Sequence, residues 1–122
     1  MSDRFCVTIT NAENDPDRAT VGMVLANAAL ASGKEVLVFL SVEGVRLAGD
    51  GYGERIAQPG FAPMTELLAN FAAGGGKLLV CTPCAKTRGI DTQPLVAGAV
   101  LGGGAGLVEF MSAANGCPSV SY

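Results

Sequence analysis

The chain contains no histidine and no tryptophan, and aromatic residues make up only 6% of it. Without an imidazole it lacks the usual general base of cysteine hydrolases, so none of its cysteines reads as a protease-type nucleophile. Charge is also scarce: 16% of residues are charged, 8 basic against 11 acidic, for a net charge of -3. No cluster of lysine and arginine is present to displace counterions from a phosphate backbone, so nucleic-acid binding is not expected. Nor is there a run of about twenty consecutive apolar residues. The long charge-free stretch before Glu109 is broken by Gln93, Pro94 and several glycines, which argues against membrane insertion. The amino terminus, Met-Ser-Asp-Arg, lacks the basic region and apolar stretch of a secretory signal, so a cytoplasmic location is expected. Cysteines in that setting are expected to be free, catalytic or metal-binding rather than locked in structural disulfides.

A length of 122 residues with 49% hydrophobic content suits one domain, spanning 1–122, with a single core. The charge deficit is uneven. From Thr92 to Tyr122 the only charged side chain is Glu109. Two readings fit this carboxy-terminal quarter: a self-association interface, or the middle of a sheet with its covering helix.

The chain alternates strand-like and helix-like patterns. Phe5 to Thr10 reads as a strand. Asp15 is placed to cap a helix with Pro16 at its first position, running to about Ser32 before Gly33 stops it. Glu35 to Leu40 is the near-continuous apolar run of a strand covered on both faces, hence a parallel sheet. Ser41 to Pro63, with Gly44, Gly49, Gly51, Gly53 and Gly60, reads as a long mobile loop with room for one helical turn, either a lid over a neighbouring site or a plain surface loop. Met64 to Ala73 restores helical spacing, and Leu78 to Cys81 is a third strand. Leu95 to Leu101 is a fourth, Leu107 to Ala114 a helix, and a last strand lies near Val120. The order βαβαβαβαβ predicts an open, mostly parallel five-stranded sheet with helices on both faces and right-handed crossovers, in flavodoxin-like layers, with its site at the carboxyl ends of the strands.

Cys81 falls at such an end. In Lys77-Leu-Leu-Val-Cys81-Thr-Pro-Cys84-Ala-Lys86-Thr-Arg88-Gly89, Pro83 suits the first turn of a helix. The free N–H groups of that helix start, with Lys86 and Arg88 close by, are expected to favour a thiolate at Cys81. The competing reading makes both cysteines small buried hydrophobes. A zinc site on Cys81, Cys84 and Cys117 lacks a fourth ligand other than the distant Cys6, so no metal is expected. Leu101-Gly-Gly-Gly-Ala-Gly106 lacks dinucleotide-binding spacing and a P-loop lysine, and is read as close packing of a helix start. No cofactor is expected.

Three segments together resemble the DsrE/DsrF-like family, with its YchN-like and TusD-like sulfur-relay subunits. They are Cys81 followed by Arg88-Gly89-Ile90, the strand and Gly-Val loop around Phe39 and Glu43-Gly44-Val45, and the ending Cys117-Pro-Ser-Val-Ser-Tyr122. The resemblance spans nearly the whole chain and departs at Cys84, where those subunits carry a small residue. It implies that Cys81 accepts sulfane sulfur as a persulfide and passes it to a partner thiol, with Cys84 either resolving the persulfide or supporting the turn. Lys86, Arg88, Gly89, Glu43 and Gly44 are then supporting residues. It also implies donor and acceptor thiol proteins or small sulfane-sulfur compounds as partners, and a homo-oligomer, trimer or hexamer. Sulfur exchange needs no external base, which suits a chain without histidine. Two alternatives remain: a dithiol-disulfide oxidoreductase on the C-x-P-C-like Cys81-Thr-Pro-Cys84, disfavoured by the two βα units before it, and a non-catalytic oligomeric binding module.

Overall fold

Strand β1 (Arg4–Ile9) alternates, sending Val7 and Ile9 into the main core and Cys6 and Thr8 to the other face of the sheet. The computed structural model describes residues 3–122. Helix α1 (Pro16–Ala31) starts where Asp15 accepts a hydrogen bond from the Arg18 backbone N–H at 3.3 Å, with Pro16 at its first position. It ends before Gly33, whose φ of +84° suits glycine. Gly22 lets it lie directly on Ile9; a β-carbon there would sit 2.8 Å from the Ile9 side chain. Strand β2 (Glu35–Leu40), helix α2 (Met64–Ala73) and strand β3 (Lys77–Cys81) follow, then the short helix α3 (Thr82–Thr87), strand β4 (Ala99–Gly102), helix α4 (Gly104–Met111) and strand β5 (Ser119–Ser121).

All five strands are parallel, in the order β4-β3-β2-β1-β5. This is the expected α/β architecture. The chain steps from β1 to β4 in one direction and then crosses the whole sheet to place β5 beside β1. With right-handed crossovers that reversal puts α4 on the face opposite α1 and α2. The contacts agree: Leu78 and Val80 point into the core shared with Met23 and Phe71, while Leu79 points the other way, against Gly102 and Gly106. The main core is fully closed, with Val7, Ile9, Val38, Leu40 and Val80 inaccessible to solvent.

The α4 face is thinly covered. No residue of α4 is buried, Val108 is 64% exposed, and Val100 and Leu101 are exposed beside it. The carboxy-terminal quarter is therefore not the middle of the sheet, since β4 and β5 form its two edges. Strand β4 is shorter and later than the apolar pattern suggests. Leu95 instead bridges Gly49, and the turn at Gly98, φ +83°, precedes pairing of Ala99 with Leu78. Helix α4 likewise begins three residues early, at Gly104, because glycines that look like a loop are here the part of the helix that approaches Leu79.

The segment from Ser41 to Pro63 is not a mobile lid. It folds into 3-10 turns at Val42–Ala48 and Tyr52–Arg55 and contributes Val45, Leu47, Ala48 and Ile56 to the core. Its glycines serve closeness rather than flexibility: at Gly44 a β-carbon would fall 2.1 Å from the Ile9 carbonyl oxygen. Among the described residues no helix is long and apolar enough to cross a membrane.

Candidate functional site

Cys81 is the last residue of β3, paired in register with Gly102, and its backbone turns directly into α3. Pro83 sits in the first turn, and the Thr82 hydroxyl donates to the Gly102 carbonyl at 2.8 Å, tying the helix start to β4. Cys84 lies one turn on. It is close enough that its backbone N–H and its thiol both influence the Cys81 thiol, and both cysteines are free and half-buried. The structure therefore brings the two thiols together at the carboxyl edge of the sheet, where the chain pattern placed them.

The electrostatics differ from expectation. The Cys81 thiol is held above its ordinary range, first by partial burial and then by the neighbouring Cys84 thiol; the Cys84 N–H and Arg88 act in the opposite direction without winning. Loss of water around the sulfur disfavours the thiolate more than the neighbouring N–H and guanidinium favour it. Lys86, expected to help, is exposed and takes no part in setting the Cys81 equilibrium.

Arg88 is held in place by two contacts: its Nε donates to Glu43 Oε2 at 2.5 Å and its Nη1 donates to the Cys84 carbonyl at 3.2 Å. Glu43 is held in turn, its Oε1 accepting from Arg46 Nε at 2.9 Å. The two guanidinium groups hold the Glu43 carboxyl below the usual carboxylate range. Glu43 arrives there because Val42 takes a φ of 53°, in the left-handed region, and Gly44 closes the turn by donating its N–H to Ser41 O at 2.9 Å. On the other side Gly89, φ +71°, ends α3 and lets Ile90 turn back into the core, its N–H on the Ala85 carbonyl. Glu43 and Arg88 thus meet at the Cys84 backbone, with Gly44 and Gly89 next to them shaping the turns that bring them there. Arg46, Thr82 and Val42 carry no motif that marks them in the sequence. Arg46 stands three residues after Glu43 in a turn, a spacing that signals the pair once the turn is known.

Cys117 lies elsewhere. It precedes β5 rather than lying within it, at the amino-terminal end of the sheet near Cys6, Arg4 and Glu35. The three sulfurs Cys81, Cys84 and Cys117 are therefore at opposite ends of the parallel strands. Among the described residues no group of three or more Cys, Asp or Glu is gathered as metal ligands would be.

The sequence profile of the DsrE/DsrF-like family matches residues 3–116. The chain belongs to this family. Membership supports a sulfur-relay type of protein in general. An uncharacterised protein of Methanocaldococcus jannaschii is 35% identical over 109 residues, covering 88% of this chain and 91% of the relative. One from Methanopyrus kandleri is 32% identical over 100 residues, covering 81% and 78%. A second M. jannaschii protein is 26% identical over 113 residues; the match takes in 93% of this chain but spans only 41% of that longer protein. The crystal structure of YchN from E. coli superposes with a TM-score of 0.76 at 21% identity, covering 96% of this chain and 99% of that one, and shares its fold.

Proposed function

We propose that this protein is a sulfur carrier in which Cys81 accepts sulfane sulfur and hands it to a partner thiol. In the first step the Cys81 thiolate attacks the outer sulfur of a persulfide or polysulfide donor. An S–S bond in the donor breaks, the donor leaves as a thiolate that takes up a proton, and Cys81 carries the persulfide. In the second step an acceptor thiolate attacks the outer sulfur and regenerates Cys81, so nothing is oxidised overall.

The observation that carries this reading is the position of Cys81: a half-buried free thiol at a strand tip, beside an arginine fixed by Glu43, in a DsrE/DsrF-like chain. Its raised pKa is compatible with the chemistry. Fewer molecules are ionised at neutral pH, but a more basic thiolate is a stronger nucleophile toward sulfur. Partner thiol proteins as donor and acceptor, and a homo-oligomer of three or six chains closed over the apolar α4 face, complete the proposal; static light scattering giving a concentration-independent monomer would remove the last part.

One observation favours a second reading. The Cys84 thiol lies one helical turn from Cys81, near enough to influence its proton, which suits an internal disulfide and hence dithiol-disulfide exchange. Intact-mass analysis after incubation with polysulfide separates the two. The carrier reading expects added sulfur on the wild type, lost in Cys81→Ser and largely kept in Cys84→Ser. Equal loss in both variants, or a reversible internal disulfide as the sole product, selects the dithiol reading. No iodoacetamide labelling of native protein at either cysteine selects a non-catalytic binding module.

A further inference from the structure

Two cysteines remain outside the Cys81 site. Cys6 is fully buried in β1, on the face covered by α4. Its backbone N–H donates to the carbonyl of Pro118 at 3.0 Å, and it pairs in register with Ser119. Cys117, immediately before that proline, is half-buried and is held extended because a residue preceding proline avoids the helical region. Along an extended chain residues 117 and 119 project to the same side. Cys117 therefore shares the face of Cys6, on the diagonal across the β1–β5 pair.

Burial first, and then the nearby Cys117, pushes the Cys6 thiol up to about 11. The Cys117 thiol is raised by partial burial, opposed by Arg4. Arg4 itself is fixed by Glu35, by the Phe110 carbonyl at 2.7 Å and by the Phe110 ring. One thiol is accessible with a guanidinium near it; the other is reachable only from within the protein.

We propose that Cys117 and Cys6 form a second thiol site, at the amino-terminal end of the sheet, that reduces low-molecular-weight disulfides and closes as an intramolecular Cys6–Cys117 bond. Cys117 gives up its proton and its thiolate attacks one sulfur of the small disulfide. That S–S bond breaks, and one small thiolate departs and is protonated. Cys6 then attacks the Cys117 sulfur, breaking the mixed disulfide, and its proton passes to the second small thiolate as that group departs as a thiol. The two protein thiols are oxidised and one disulfide is reduced to two thiols. Diagonal neighbours on adjacent strands lie about 7–8 Å apart at Cα, beyond the roughly 7 Å that a disulfide spans without backbone movement, so the closing step requires the chain before β5 to shift. The remaining approach falls on Gly116 to Pro118, outside the paired strand, where Gly116 has a φ of +78°. The product ties the chain just before β5, a three-residue edge strand, covalently to β1. This inference does not rest on the reaction proposed for Cys81.

Oxidised glutathione is the probe, with the intact protein and non-reducing peptide mapping as the readout. The expected result is a linked Cys6–Cys117 peptide pair in the wild type and in a Cys81→Ser/Cys84→Ser variant alike, reversed by dithiothreitol. Cys6→Ala should stall as a glutathione adduct on residue 117, and Cys117→Ser should leave Cys6 unmodified. A lasting glutathione adduct on wild-type Cys117 with Cys6 still a thiol, a Cys117 link between two chains, or no reaction at either residue overturns the proposal. The wild-type map decides this alone if Cys6→Ala does not fold.

Discussion

Arg88 and Glu43 lie 45 positions apart in the chain and meet at 2.5 Å, joining the turn after β2 to the helix that starts at Cys81. That pair makes the thiol site one unit with the sheet edge, because the same guanidinium also binds the Cys84 carbonyl. Its consequences can be measured.

Glu43→Gln should lower stability at neutral pH by about 1 kcal/mol, since charge-assisted bonds to two half-buried arginines are replaced by neutral ones. The Glu43 pKa is depressed in the folded protein, so its contribution is complete above the ordinary carboxylate range and is lost as pH falls through the folded value. Urea unfolding of wild type and variant across acid pH should show the gap closing; a pH-independent gap would assign the loss to packing instead.

Arg88→Gln removes a cation that lowers the Cys81 pKa against burial and Cys84. The pH at which residue 81 becomes half-maximally reactive to iodoacetamide, already above the ordinary thiol value, should move higher still. An unchanged or lower midpoint would show that Arg88 exerts no field on the sulfur.

At Gly44 the obstacle to a side chain is backbone, the Ile9 carbonyl, which cannot swing aside. Gly44→Ala should therefore cost about 3 kcal/mol or more, or prevent folding, as read by chemical denaturation.

Val42 has the opposite character. It is β-branched, in the left-handed region, and 47% exposed, so its strain is not offset by burial. Val42→Gly should raise stability by about 1 kcal/mol after the entropy cost of glycine is deducted. A destabilised variant would mean that the side chain has packing value in the folded protein that its exposure conceals.

Local pattern by itself determined the alternation of strands and helices, the parallel sheet implied by the unbroken apolar run of Glu35–Leu40, the Asp15-Pro16 start and Gly33 stop of α1, and the place of Cys81 at a strand tip. Each depends on residues within a turn or two of one another, which is why periodicity and capping suffice. Only the tertiary structure decided the rest. Glycines between Ser41 and Pro63 look the same in a loose loop and in a tightly packed one, and what distinguishes them is the Ile9 carbonyl, far away in the chain. The ionisation of Cys81 follows from how much water the surrounding elements remove: Arg88 favours the thiolate as its place in the sequence suggests, but burial outweighs it. The return of β5 to the side of β1, which brings Cys117 to Cys6, is a pairing between the two ends of the chain, and no local preference encodes which strand a neighbour will be.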